Sequence, residues 1–144
     1  MKRSASAAWT GGLKNGKGSV STASGVLDQA QYGFRTRFED GVGTNPEELI
    51  AAAHAGCFTM ALAAQLEAAG MTAERLETTA SVTLEQIDGS FSITAIHLDL
   101  LADIPGANLE TVDMVAGRAK SECPVSRLLN AEITLATKLK ARRT

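Results

Sequence analysis

Cys57 and Cys123 are the side chains of this 144-residue chain with the most direct claim to chemistry. Cys57 lies in the small-residue run Ala51-Ala52-Ala53-His54-Ala55-Gly56-Cys57-Phe58, and Cys123 directly precedes Pro124, where a helix would begin. A thiol reacts as its thiolate, so the surroundings decide its use. Cys123 at a helix start would meet unpaired N–H groups and the positive end of the dipole, which favour the anion. Cys57, mid-helix in apolar company, has a raised pKa unless a cation is brought close. Two thiols in such unlike settings fit a nucleophile and a resolver working in turn. The plainer alternative is a pair of buried small hydrophobes, because free cysteine is among the most buried residue types.

The cations within reach in sequence are Arg35 and Arg37, with Glu47 and Glu48 placed to orient a guanidinium through a charge-assisted pair. Solvated surface positions are the common fate of such residues. Helix geometry adds a constraint. Glu47 and Cys57 are ten residues apart, about 15 Å along a straight helix at ~1.5 Å per residue. Within one unbroken helix they cannot touch, so a site using both requires an interruption or a second subunit. His54, three residues before Cys57, could form a Cys–His pair of the hydrolase kind. No third group stands out to orient its ring, and a hydrogen-bonded packing role is the alternative. His97 falls in a strand pattern and reads as structural.

The elements that must position these residues are legible in outline. Strands are expected over residues 4–10 and 17–22, joined by a glycine-rich turn, and over 33–39, where Phe34, Thr36 and Phe38 alternate with Arg35, Arg37 and Glu39. Thr44-Asn45-Pro46-Glu47-Glu48 is a strong helix start, with a cap, a first-turn proline and two carboxylates against the dipole. That helix is expected to run to Gly70 and to be buried, since its middle is apolar nearly all round. Residues 76–87 and 90–101 form a hairpin about Asp88-Gly89. Helices follow over Leu109–Lys120 and Pro124–Leu129, then a last strand over 131–140. The order implies an α+β fold of antiparallel strands packed on helices, a single domain spanning residues 1–144.

Composition narrows the function classes. A net charge of −2 and pI near 5.7 offer no general attraction to nucleic acid or anionic lipid. The one basic cluster, Lys138, Lys140, Arg142 and Arg143, reads as a frayed, solvated end. No apolar stretch is read as reaching the ~20 residues of a membrane span, and no signal peptide follows Lys2 and Arg3, so a cytoplasmic location is expected. Its reducing conditions leave little use for a structural disulfide. Two His and two Cys at scattered positions give no zinc spacing, and no phosphate-binding glycine loop is present.

Tyr32-Gly33-Phe34-Arg35-Thr36-Arg37-Phe38-Glu39, then Gly43-Thr44-Asn45-Pro46-Glu47-Glu48-Leu49-Ile50-Ala51-Ala52-Ala53-His54-Ala55-Gly56-Cys57-Phe58, and later Cys123-Pro124-Val125-Ser126 with Ala131-Glu132-Ile133-Thr134-Leu135, closely resemble the OsmC family of hydroperoxide reductases. The stretch Gly18 to Leu27 resembles the OsmC branch rather than the related Ohr branch. The resemblance covers essentially the whole chain. It implies an intertwined homodimer, with antiparallel sheet wrapped around central helices. It implies a peroxidatic role for Cys57, a resolving role for Cys123, and an active-site pair of Arg37 with Glu47; Arg35 departs from the smaller residue expected there. The implied reaction reduces an organic hydroperoxide to an alcohol through a Cys57 sulfenic acid and a Cys57–Cys123 disulfide. An external dithiol, of lipoyl type, would reset the pair, with no metal or cofactor, in defence against oxidative and osmotic stress. Apolar residues such as Phe58 and Met60 would line the site and favour alkyl over hydrogen peroxide. The rival readings are a non-catalytic redox-sensing or ligand-binding stress protein and, third, a thiol hydrolase using Cys57 and His54.

Overall fold

The computed structural model describes residues 1–141; Arg142 and Arg143 of the basic tail lie outside them. The chain divides into two compact units, Met1–Leu49 and the remainder from Ile50. In the first unit, β1 (Ala5–Thr10), β2 (Lys17–Thr22) and β3 (Ala30–Tyr32) form an antiparallel sheet in that order. The glycine turn after β1 has a direct physical basis. Gly11 takes a positive φ of 90°, and Trp9 Nε1 donates to the carbonyls of Gly11 and Gly12 at 3.1 and 3.2 Å. Trp9 and Tyr32 meet edge to face at 5.6 Å over Gly18, where an added Cβ would stand 2.6 Å from both rings.

Residues 33–39, expected as a strand, instead form the short helix α1 (Phe34–Phe38). A five-residue segment with Phe at both ends satisfies the i, i+2, i+4 pattern of a strand and the i, i+4 pattern of a helix equally well. Local hydrogen bonds decide for the helix. The Thr36 hydroxyl accepts from the Gly33 N–H at 2.8 Å and donates to the Gly33 carbonyl at 2.9 Å, and Asn45 Nδ2 donates to the Thr36 carbonyl at 2.9 Å. Phe34 and Phe38 then contact at 5.0 Å. The strand of this region is β3, just upstream.

The long helix α2 (Pro46–Ala68) begins as its sequence dictates. Asn45 Oδ1 accepts from the Glu48 N–H at 2.7 Å, and Thr44 Oγ1 donates to Glu48 Oε2 at 2.8 Å. It ends in a Schellman turn: Gly70, at φ 80°, donates to the Glu67 carbonyl at 2.9 Å and Met71 to that of Leu66 at 2.8 Å. By length and composition alone α2 is apolar enough to cross a membrane, a property the sequence reading had denied to every stretch. Its row at four-residue spacing, His54, Phe58, Leu62 and Leu66, is fully buried in the second unit. The opposite side, with Ala52, Ala53, Gly56, Met60, Ala63 and Ala64, is exposed, so burial is one-sided within the single chain.

The second sheet joins β4 (Arg75–Ile87), β5 (Ser90–Asp103) and β6 (Glu132–Leu139) in that order. The β4–β5 hairpin turns at Asp88 and Gly89, both with positive φ (51° and 83°), as a type I′ connection requires. Between β5 and β6 the chain passes through α3 (Leu109–Glu122) and α4 (Pro124–Leu128). That helical crossover returns the chain to the end from which β5 started, so β6 pairs with β5 in parallel. The sheet is therefore mixed where antiparallel strands were expected, and the α+β class stands. Ile96, Leu98, Leu100 and Ala102 of β5, with Val112, Val115, Ala116 and Ala119 of α3, complete the core about the buried row of α2.

Leu62 is fully buried at the middle of that row. Leu62→Ala should lower the unfolding free energy by about 2–5 kcal/mol, measured by urea denaturation of the reduced protein.

Candidate active site

Two groups of side chains are candidates for chemistry, one in each unit. In the first, the turn of α1 sends the two arginines in different directions. Residues two apart on a helix are about 200° apart in azimuth, whereas on a strand they would share a face. Arg35 makes an exposed contact with Glu39 at 3.6 Å. Arg37 meets Glu47 at the start of α2: Nε donates to Oε1 at 2.9 Å, and Nη2 lies 2.8 Å from the same oxygen as an ion pair. The Glu47 side chain is only 12% exposed, and its other oxygen, Oε2, is buried with no hydrogen-bond partner among the described residues. Glu48 is taken up by Thr44 and by capping. The Arg37–Glu47 pairing expected from sequence is present in the geometry, and Arg35 has no part in it.

The second group is the thiols. Cys57 from α2 and Cys123 from the junction of α3 and α4 are free and lie against each other, Cys123 fully buried and Cys57 partly so. Their environments drive them apart. Burial pushes the Cys57 thiol above its ordinary value, and contact with Cys123 adds to the rise, with only the Val125 backbone N–H opposing. Burial acts on Cys123 as well. It is outweighed there by the Cys57 thiol, the N–H groups of Ser126 and Val125 and the Ser126 hydroxyl, which together lower the pKa. No side-chain capping hydrogen bond of standard geometry closes at Cys123, so these groups act as near neighbours. The direction at Cys123 is downward, the one its place before Pro124 suggests. The cation that Cys57 would need is not among the groups acting on it.

His54 is fully buried, and burial lowers its pKa. Its Nε2 lies 2.7 Å from Ser126 Oγ, while Nδ1 is buried without a partner among the described residues. The ring is thus engaged with Ser126, and the hydrolase dyad with Cys57 is not formed. Ser126, the last residue of Cys-Pro-Val-Ser, carries no role in the sequence expectations. Its signal was its spacing, three residues after a helix-capping position, where a hydroxyl lies beside the cap residue. Phe58 is fully buried in the core and Met60 is 76% exposed, so the two expected lining residues do not share a surroundings. His97 contacts Thr134 and Asp99 at 2.6 and 3.3 Å on the exposed side of β5. Among the described residues no three His, Cys, Asp or Glu side chains gather to hold a metal ion.

Fold and thiols together define an α+β dithiol protein whose two free cysteines adjoin in one core. Comparison gives the family. A family model described as OsmC-like protein matches residues 38–138. The chain is 53% identical over 133 residues to the protein named Peroxiredoxin OsmC of Escherichia coli strain K12, covering 92% of this chain and 93% of that one. It is 32% identical over 102 residues to an organic hydroperoxide resistance protein of Xanthomonas axonopodis pv. citri, over 66% of this chain and 67% of that one. A crystal structure of an organic hydroperoxide resistance protein from Elizabethkingia anophelis superposes with a TM-score of 0.75 at 28% identity, covering 97% of this chain and 99% of that one. This chain belongs to the OsmC-like family.

The buried neutral His54 sets an acid dependence of stability. Its folded pKa lies below the ordinary 6.5, so below pH 6.5 the unfolded chain binds the extra proton and stability falls as pH drops. Unfolding free energies measured from pH 7.5 to 5 should decline over that window, and His54→Gln should remove this part of the slope.

Proposed function

We propose that the chain is a cysteine-based peroxidase that reduces organic hydroperoxides to alcohols in the cytoplasm. The observation that carries this reading is the adjoining of Cys57 and Cys123, free and oppositely biased, in one core. The names of the relatives support the substrate class. In the proposed cycle the Cys57 thiolate attacks a peroxide oxygen, the O–O bond breaks, and the alkoxide leaves as the alcohol on gaining a proton. Cys57 is left as a sulfenic acid. The Cys123 thiolate attacks the Cys57 sulfur, expelling hydroxide as water and forming the disulfide. An external dithiol, of lipoyl type, reduces it by thiol–disulfide exchange.

Arg37, aligned by Glu47, supplies the charge that stabilises the Cys57 thiolate and the departing oxygen. It does so in a homodimer, acting on the Cys57 of the second copy. Two features support this. The helix α2 is unbroken from Pro46 to Ala68, so ten residues, about 15 Å, separate Glu47 from Cys57 along it. The exposed small-residue side of α2 borders a groove of about 750 Å³ lined by Gly56, Thr59, Met60, Ala63, Leu76 and Thr78 among others, a surface on which a second chain can approach closely.

The test is cumene hydroperoxide consumption with dihydrolipoamide, against hydrogen peroxide and a monothiol. Cys57→Ser should abolish turnover, and persistence of peroxide loss would end the reading. Cys123→Ser should permit one oxidation per site and block recycling. Arg37→Ala should slow thiolate oxidation about 10²–10³-fold, as for removal of one transition-state donor, and Arg35→Ala far less; the reverse order would move the role to Arg35. One oxidation per site in the unaltered chain, without dithiol-driven turnover, would instead indicate a redox-sensing protein.

A further inference from the structure

The peroxidase cycle leaves one buried group without a task. His54 is fully buried with Nε2 on Ser126 Oγ at 2.7 Å and Nδ1 without a partner among the described residues. Ser126 stands in the first turn of α4, three residues after Cys123 at its cap, and its hydroxyl is among the groups that lower the pKa of that thiol. Side chains from α2, α4 and the α3–α4 junction thus follow one another in the order His54, Ser126, Cys123. Its direction follows from the orphaned nitrogen. If Nε2 accepted the serine proton, Nδ1 would carry a buried N–H with no acceptor, and orphaned buried N–H groups are rarer than under-used acceptors. The tautomer protonated on Nε2 leaves only an unused lone pair at Nδ1. It donates to Ser126 Oγ and frees the Ser126 hydroxyl proton for the Cys123 sulfur.

We propose that His54 and Ser126 are positioning residues: His54 Nε2–H donates to Ser126 Oγ, and Ser126 O–H is thereby aimed at Cys123 Sγ, holding Cys123 as the thiolate that resolves oxidised Cys57. The resolving role rests on the function proposed above; the donor line does not. Hydrogen bonds from a neutral donor to an anion are among the stronger ones in a protein, and they strengthen in a dry site. Two of the nearby charges are engaged elsewhere, and Arg127 follows Ser126 on α4. Glu122, beside Cys123, accepts from Gln65 at 2.6 Å, and Lys120 donates to the Ile133 carbonyl at 3.4 Å. Cys57 is the other titrating group against the Cys123 sulfur. In the resolving step the Cys57 S–O bond breaks and the S–S bond forms. The leaving hydroxide takes a proton from solvent to become water, and the Ser126 hydroxyl keeps its own. His54 therefore stays neutral throughout, in keeping with its burial.

Two measurements test the line, one independent of peroxide. In a Cys57→Ser background, the 240 nm thiolate absorbance of Cys123 at neutral pH should fall on adding Ser126→Ala or His54→Leu. It should be retained with His54→Gln, whose amide N–H replaces the Nε2 donor. In the chain with both cysteines, treated with one equivalent of cumene hydroperoxide, Ser126→Ala should slow disulfide formation about tenfold, the loss expected of one hydrogen bond to a charged group. It should prolong the life of the dimedone-reactive sulfenic acid while the rate of Cys57 oxidation changes little. Thiolate absorbance unmoved by Ser126→Ala, or His54→Gln behaving as His54→Leu, would overturn the proposal. So would equal slowing of oxidation and resolution, which is the signature of a loosened core. If Cys57 is not oxidised by hydroperoxide at all, the function proposed above fails and the absorbance measurement still decides whether the donor line exists.

Discussion

The seating of the α3–α4 junction against α2 is the contact on which the paired thiols depend. It has an apolar part and a polar part. Val112, Val115, Ala116 and Ala119 of α3 share the core with Phe58, Leu62 and Leu66 of α2. The polar part is the His54–Ser126 hydrogen bond, which ties α4 to the upper turns of α2. A buried histidine costs a desolvation penalty that a Leu at the same place would avoid. Its presence fixes the depth and rotation of α4, where an apolar contact would allow sliding, and Cys123 sits three residues from the serine so fixed.

Where local chemistry was self-sufficient, the structure was legible in the sequence. The start of α2 rests on Asn45 and Pro46, and the β4–β5 turn on Asp88-Gly89. Both depend on side chains within a few residues and both occur where expected. The failures share a cause. Phe34–Phe38 is too short for a period of two to be told from a spacing of four, and a threonine hydroxyl decided the outcome. The direction of β6 is a matter of which way the chain returns after α3 and α4, which no alternation within β6 records. The one-sided burial of α2 could not be read from a stretch that is apolar on every side.

The site was legible to a different depth. Residue types and spacing placed Cys57 in a helix and Cys123 at a cap, and they offered Arg37 with Glu47 as a pair. The adjoining of the two thiols is a long-range contact between residues 66 apart, which the family resemblance implied and local spacing did not. The choice between Arg35 and Arg37 turned on α1: on a strand the two would be equivalent in direction, and on a helix only Arg37 faces Glu47. Ser126 went unassigned because a serine in the first turn of a helix is ordinary, and its partner lies 72 residues away.

In the proposed cycle, electrostatic distance limits what the thiol pair can do alone. Burial, with Cys123 beside it, raises the Cys57 pKa, while the Cys57 thiol and nearby N–H groups lower that of Cys123 against its own burial. That order suits resolution and opposes the first attack, which needs a Cys57 thiolate. A cation about 4 Å from the sulfur supplies roughly 4 kcal/mol at an effective dielectric near 20, while one about 15 Å away supplies only about 1 kcal/mol. The first is worth nearly three pKa units and the second less than one. Glu47, which holds Arg37, stands ten residues before Cys57 on the unbroken α2, about 15 Å along its axis. Among the described residues one buried Glu47 oxygen has no partner, and the Arg37 pair uses only the other. In the proposed homodimer, a second chain that brings the Arg37–Glu47 pair against Cys57 would favour its thiolate for the first attack, and once Cys57 is oxidised and neutral the groups around Cys123 would favour the thiolate there. The opposite biases of the two thiols would then serve successive half-reactions rather than compete within one.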